Sequence, residues 1–327
     1  MTVNTLPVRE ALLDRRQKLD AAMAAGGTDA TFNRLIADVD TALARLENGS
    51  YGLCETCHDP IEPDRLLADP LTRFCLDHLT PQEQGALQRD LDLAARIQHE
   101  LLPPSPFRAG CWEAAYAYQA VGPVSGDYCD LISAANGDLH FIVGDVSGKG
   151  IAAAMLMTHL HAMFRTLISL ELPLPDMMER ASRLFCESTL PTHYATLVCG
   201  RARASGDVEV CNAGHVPPLV VSGGDVKIIA SGGLPLGMFC DEQFSTTRLQ
   251  LSSDDMIVLC TDGVTDAENP AGADYGHARM VEQMQTAGDR RHDADALLAG
   301  CLADLRHFQA GASQVDDVTL LLLRRSA

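Results

Sequence analysis

The chain has 327 residues, 46% of them hydrophobic and 21% charged, and 44 acidic against 25 basic side chains give a formal charge of −19. That length allows one large core plus a smaller module, or two domains, while the charge repels nucleic acid and no apolar run approaches transmembrane length. With no basic, apolar-cored leader at the N-terminus, a cytoplasmic protein is expected, with neither nucleic acid nor a membrane as partner.

Two helical stretches open the chain, Val8–Ala25 and Thr31–Asn48, split by Gly26-Gly27. At ~1.5 Å per residue neither exceeds a few turns. Cys54-Glu-Thr-Cys57 follows and then, after seventeen residues, Cys75-Leu-Asp-His78. Two such knuckles can set three sulfurs and one nitrogen around Zn²⁺ with no position left open, which makes the site structural. His58 is a conceivable substitute ligand, but His78 occupies the knuckle position. The other eight cysteines (Cys111, Cys129, Cys186, Cys199, Cys211, Cys240, Cys260 and Cys301) lie mostly in apolar runs, where a thiol acts as a small hydrophobe and no disulfide is expected.

The residues around the knuckles, ALARLENGSYGLC ending at Cys54 and RLLADPLTRFC ending at Cys75, resemble the zinc finger of DksA/TraR-type proteins over about residues 30–83. The usual fourth cysteine is replaced by His78. Such proteins reach into RNA polymerase with a long helical hairpin. The short helices here point instead to a scaffold or partner-docking role.

Gln82–Leu102 forms the next helical stretch and stops at Pro103-Pro104. Leu87, Leu91, Ala94, Gln98 and Leu101 recur at spacings of four and three, an a/d seam. Such a helix either lays one stripe on its own domain or pairs two subunits. A homodimer through residues 84–102, with Gln98 as the polar seam residue, is the expectation taken here. The domain boundaries are then 1–83 for the helices and finger, 84–104 for the linker helix and 105–327 for the remainder.

Strand candidates follow at 112–120, 128–134, 138–145, 194–203, 207–212, 217–221, 226–230, 244–251, 255–261 and 317–324. Helical stretches at 151–170 and 278–310 interrupt them, the second broken near Gly288. Runs of strands with segregated helices indicate an α+β fold. Four aspartates, Asp127, Asp145, Asp262 and Asp316, each abut one of these strands, and Gly126, Gly144 and Gly263 flank three of them. One aspartate alone would be a turn residue. Four at strand ends, with no histidine or cysteine beside them, suit a hard cation such as Mg²⁺ or Mn²⁺. Lys149, one of three lysines, sits in the glycine turn Gly144-Asp-Val-Ser-Gly-Lys-Gly150, placed either to meet a phosphate or to cap the turn.

Seven stretches occur in one order: ARIQHELLP from Ala95, VSGDY from Val124, GDVSGKG from Gly144, CNAGHVPPL from Cys211, LPLG from Leu234, TDGVTDA from Thr261 and DDVT from Asp316. Together they resemble the PPM (type 2C) protein phosphatases, in the branch of the stage II sporulation E phosphatase and the stress-response regulators of sigma factors. The resemblance spans about residues 90–325. It implies a four-layer αββα sandwich of two antiparallel sheets with a metal site at one edge, here preceded by the helical zinc-finger module.

It further implies that Asp145 bridges two Mn²⁺ or Mg²⁺ ions, with the backbone carbonyl of Val146 as a further ligand. Asp262 and Asp316 complete the second ion, Asp127 is an outer carboxylate, and Asp317 is the alternate if the register slips by one. Asp145, Asp262 and Asp316 then carry the catalysis, in which paired cations make hydroxide available near neutral pH for attack on a phosphoryl group. Ser147 stands where the wider superfamily often has a histidine. His215 is a second candidate acid but reads better as a structural residue bonded to turn backbone. The function expected is a metal-dependent phosphoserine/phosphothreonine phosphatase acting on a regulatory protein of the anti-sigma-factor-antagonist type and controlled by the zinc module. The competing reading is a transcription-associated binding protein whose phosphatase-like domain only docks partners.

Overall fold

The structure, a computed structural model, describes residues 5–24, 30–62, 65–66, 69–79, 81–288 and 293–326. The glycine pair expected to split the first two helices lies outside the described residues. The chain divides into two compact units, Met1–Asp90 and Leu91–Ala327.

In the first unit α1 (Thr5–Ala24) and α2 (Ala30–Glu47) bury Val8, Leu12, Val39 and Ala42 against each other. The chain turns after α2 because the Arg45 carbonyl accepts from both the Ser50 and Tyr51 amides. The Arg45 guanidinium then donates to the carbonyls of Ser50 and Leu53. Tyr51 packs on the helical cluster and also on the small core of Cys54, Ile61, Leu66 and Cys75. Helix α3 (Pro81–Leu101) carries the chain across the boundary between the units.

The second unit begins with β1 (Phe107–Ala109), β2 (Trp112–Gln119), β3 (Asp127–Ser133) and β4 (Leu139–Val146), followed by α4 (Gly150–Ile168) and α5 (Leu174–Ser188). Then come β5 (Ala195–Ala202), β6 (Asp207–Ala213), β7 (Leu219–Ser222), β8 (Asp225–Ile228), β9 (Thr247–Gln250) and β10 (Met256–Cys260). The short α6 (Asp262–Thr265), α7 (Gly276–Gly288), α8 (Ala294–Gln309) and β11 (Val318–Arg325) complete it.

The strands form a six-stranded sheet ordered β1-β2-β11-β10-β7-β8 and a five-stranded sheet ordered β3-β4-β5-β6-β9. Every pairing is antiparallel. Apolar residues of both sheets, among them Phe141, Val143, Val198, Ile257, Leu321 and Leu323, fill the space between them. α4 and α5 cover the outer face of the five-stranded sheet, and α7 and α8 cover that of the six-stranded one. This is the expected αββα order, with burial on both faces explaining why β10 reads as a continuous apolar run.

Three features depart from expectation. Helix α5 was not anticipated, although Leu174, Met177, Met178, Ala181 and Phe185 recur at helical spacing and are its buried face. Cys186 and Cys240 are joined by a disulfide, because α5 brings Cys186 to the loop after Leu236, with 5.5 Å between the Cα atoms. α4 does reach the length and apolarity of a membrane-crossing helix. Here its apolar side is needed for packing, since Met157, Leu160, Phe164 and Leu167 are buried against the sheet.

Candidate active site

The metal edge is built from strand ends. In β3 and β4 Asp127 pairs with Asp145, and on the other side of β4 Asp145 pairs with Thr196 of β5. Directly opposed residues share a face of an antiparallel sheet, so these three side chains form one row. From the facing sheet, β10 runs into Thr261 and Asp262 at the start of α6, and Asp316-Asp317 leads into β11. A Cβ on Gly263 would sit 1.8 Å from the Asp317 carbonyl oxygen. Only glycine lets α6 approach β11 closely enough to set Asp262 beside Asp316.

Each aspartate has distinct partners. Asp127 is buried, and its Oδ2 accepts from Thr261 Oγ1 at 3.0 Å and Thr319 Oγ1 at 2.5 Å, both on the facing sheet. Burial, with the charges of Asp145 and Asp317, holds its carboxyl well above the usual range. Asp317 accepts from the Val121 amide at 2.8 Å and the Gly126 amide at 2.9 Å. Both its oxygens are thus engaged in holding the loop before β3. Asp316 Oδ2 lies 3.0 Å from Lys149 Nζ, which also donates to the Val315 carbonyl at 2.8 Å. Lys149 therefore fastens the glycine turn to the segment before β11.

Asp145 has the most informative environment. Burial and the charges of Asp262, Asp316 and Asp317 push its carboxyl up to about 7. Asp262 is raised by burial and by Asp316 and Asp266. Carboxylates that repel one another at a sheet edge, with only hard oxygen donors present, fit divalent Mg²⁺ or Mn²⁺. Val146 is buried next to Asp145, and its amide donates to the Gly126 carbonyl. Ser147 supplies no acid: its Oγ accepts from the Tyr194 amide at 3.0 Å and its own amide donates to the Tyr194 carbonyl.

Several contributors had no signature in the sequence. Thr319 and Thr196 are ordinary strand residues, and Thr261 an ordinary residue just past β10, until the register places them. Gln98 was expected on a seam between subunits, yet it is buried in its own domain. Its Nε2 donates to the Ser125 carbonyl at 2.7 Å and its Oε1 accepts from the Ser125 amide at 2.9 Å. The side chain thereby acts as a strand partner for the residue two before Asp127.

In the first unit the ligand atoms of Cys54, Cys57, Cys75 and His78 all lie within 4.8 Å of one another. The Cys57 and Cys75 sulfurs are 3.8 Å apart, and Cys75 Sγ is 3.3 Å from His78 Nδ1. A tetrahedron with ~2.3 Å zinc–sulfur bonds has edges of roughly 3.8 Å, so the donor set fits Zn²⁺. Burial would raise the Cys54 thiol, but the amides of Cys57, Cys75 and Thr56 bring it down to about 6, toward the thiolate that a metal requires.

Residues 135–326 match the model of the stage II sporulation protein E (SpoIIE) family. The chain belongs to the SpoIIE family. Residues 49–77 match the prokaryotic dksA/traR C4-type zinc finger, a span that stops one residue short of His78. The phosphoserine phosphatase RsbP of Bacillus subtilis is 29% identical over 55% of this chain and 46% of its own length. Protein IcfG of a Synechocystis strain is 25% identical over 75% of this chain and 43% of its own. The chain thus spans less than half the length of either relative. The SiaA-PP2C domain of Pseudomonas aeruginosa superposes with a TM-score of 0.65 over 75% of this chain and 99% of that domain, at 19% identity, a likeness of fold.

The charge crowding has a consequence for stability. Because Asp145 is raised from 3.8 to about 7, its favourable contribution to folding is fully present below about 4 and is lost as pH rises through 7. With EDTA present, Asp145→Asn should therefore melt several degrees above wild type at pH 8, with the gap narrowing toward pH 5. Thermal melts across that range check this, and a variant melting below wild type at pH 8 contradicts it.

Proposed function

We propose that this protein is a metal-dependent phosphoserine/phosphothreonine protein phosphatase that acts in the cytoplasm on a phosphorylated regulatory protein of the anti-sigma-factor-antagonist type. The observation that carries this reading is the convergence of Asp145, Asp262 and Asp316 from both sheets onto one edge, where Asp262 and Asp316 raise Asp145 and Asp316 raises Asp262. Asp145, the Val146 carbonyl, Asp262 and Asp316 would hold two Mn²⁺ or Mg²⁺ ions. Bound there, such ions supply an activated water and neutralise the charge that builds on a transferring phosphoryl group.

The chain's own residues set the geometry. Asp127 braces β3 against Thr261 and Thr319, so Asp145 and Asp262 face each other from fixed strands. Asp317 holds the amides of Val121 and Gly126, which keeps the loop entering β3 closed over that edge. No histidine at position 147 or elsewhere in the row is available to protonate the leaving serine oxygen, and solvent fills that role.

Regulation enters through α3. Gln98 ties the end of this helix to Ser125, so displacement of the helix moves the residue that leads into Asp127. The zinc module is the proposed source of that displacement, and a second copy pairing through residues 84–102 is the proposed means. The exposed Leu93 and Ile97, not Gln98, supply the apolar pairing face.

Mn²⁺-loaded wild type should hydrolyse p-nitrophenyl phosphate and a phosphoserine peptide, with turnover lowered at least about 100-fold in Asp262→Asn and Asp316→Asn. Wild type inert on both substrates would favour the partner-docking reading. Elemental analysis should find about one zinc per chain, and Cys54→Ser with Cys75→Ser should abolish it while leaving the second unit folded. Zinc retained by that double variant contradicts the ligand set. Leu93→Glu with Ile97→Glu should sediment as a monomer, because two charges would enter an apolar contact. A variant whose sedimentation matches wild type leaves α3 as a spacer.

A further inference from the structure

Among the described residues, one basic side chain is ion-paired to the carboxylates of the candidate metal edge, and it comes from the glycine turn after β4. Lys149 Nζ lies 3.0 Å from Asp316 Oδ2 and donates to the Val315 carbonyl at 2.8 Å. The lysine stands at the N-cap position of α4 in extended backbone, and its side chain makes no capping bond there. An ammonium carries donors only, so it has nothing to offer the free amides of a helix start. Its partners are all on the segment before β11.

Both oxygens of Asp316 are taken. Oδ1 accepts from the Asp317 amide at 3.0 Å, and Oδ2 faces the ammonium. The amide is part of the adjoining backbone. The ammonium ends a flexible four-carbon stem, and the lysine side chain is 66% exposed beside an aspartate side chain that is 41% exposed, so this partner is the one that can leave. Mg²⁺ binds carboxylate oxygen directly, at about 2.1 Å. A divalent ion taken up by Asp316 through Oδ2 therefore meets a positive charge already seated on that oxygen, and the two repel. The Val315 carbonyl gives the displaced ammonium an acceptor to keep.

We propose that Lys149 is a tethered stand-in for the divalent cation: its ammonium holds Asp316 Oδ2 in the metal-free protein and competes with Mg²⁺ or Mn²⁺ for that oxygen, so this lysine sets the metal concentration at which the edge fills. The proposal rests on the phosphatase reading above and adds to it a determinant of metal affinity in the chain's own turn. In the metal-free protein the same ammonium offsets part of the crowding, because the charge of Asp316 bears on both Asp145 and Asp262. An exposed ion pair is weakly held, so the competition raises the threshold for metal without closing the edge to it.

The test uses the full chain with its zinc retained, stripped of other metal, and measures Mn²⁺ binding by electron paramagnetic resonance of the free ion. Melting temperatures in EDTA and in saturating Mn²⁺, and turnover of a phosphoserine peptide, are measured alongside. Lys149→Met removes the charge and keeps the chain length, and should lower the half-saturating Mn²⁺ concentration about threefold. It should melt below wild type in EDTA, with the gap closing once Mn²⁺ saturates, since the lost contact belongs to the metal-free protein. Lys149→Arg keeps the charge and should bind Mn²⁺ as wild type does. Weaker Mn²⁺ binding by Lys149→Met overturns the proposal, because the lysine would then be orienting Asp316 as a ligand. A raised KM for the peptide with Mn²⁺ binding unchanged also overturns it, in favour of a contact with the phosphate. Wild type with neither Mn²⁺ uptake nor turnover overturns the phosphatase reading and this inference together; wild type with turnover beside a Lys149→Met variant of unchanged Mn²⁺ affinity overturns this inference alone.

Discussion

Like charge gathered at the edge of an apolar core is the constraint on which the catalytic unit is built. Asp127, Asp145 and Asp262 are all raised by burial and by neighbouring carboxylates, so the folded edge is costly unless something holds it in place. The protein answers with neutral donors. Two threonine hydroxyls from the facing sheet meet one oxygen of Asp127, and two backbone amides meet the oxygens of Asp317. These bonds fix the backbone on either side of Asp145 and Asp262, the carboxylates proposed to face a cation with Asp316.

The apolar interior supplies the rigidity such bracing needs. Close packing around Phe141, Val143, Ile257 and Leu321 keeps the sheets from sliding. Gly200 shows how tight it is, since a Cβ there would fall 1.9 Å from the Phe141 ring. A second fastening runs along the edge itself. Lys149 connects the glycine turn to Asp316 and the Val315 carbonyl, so the turn after β4 and the segment before β11 move together.

Gln98 ties α3 to the strand that carries Asp127. Its amide imitates a strand partner for Ser125, and the Ser125 hydroxyl accepts from the Asp127 amide at 3.0 Å. The chain of contacts from α3 to the carboxylate row is thus short and polar. In the first unit a different economy applies. Its helical and finger cores are small and share Tyr51, so an ion held by the four ligand atoms would contribute a large part of what keeps the finger folded.

Local chemistry in the sequence determined much of this protein. Two knuckles of cysteine and histidine and segregated runs of strands and helices were enough for a finger module and an α+β fold, and glycine-flanked aspartates at strand ends pointed to the edge where Asp127, Asp145 and Asp262 lie. Each is a short-range pattern, governed by ligand spacing, turn chemistry or alternation of apolar residues. Contacts set by distant partners were not legible. Thr261 and Thr319 become hydrogen-bond donors to Asp127 only because β10 and β11 pair beside each other. Asp317 is separated from Asp316 only by the loop its oxygens hold, and Cys186 meets Cys240 only because α5 folds over its sheet. Gln98 fits an a/d seam equally well whether it faces a second copy or its own domain; the buried backbone of Ser125, which needs a partner, decided between them.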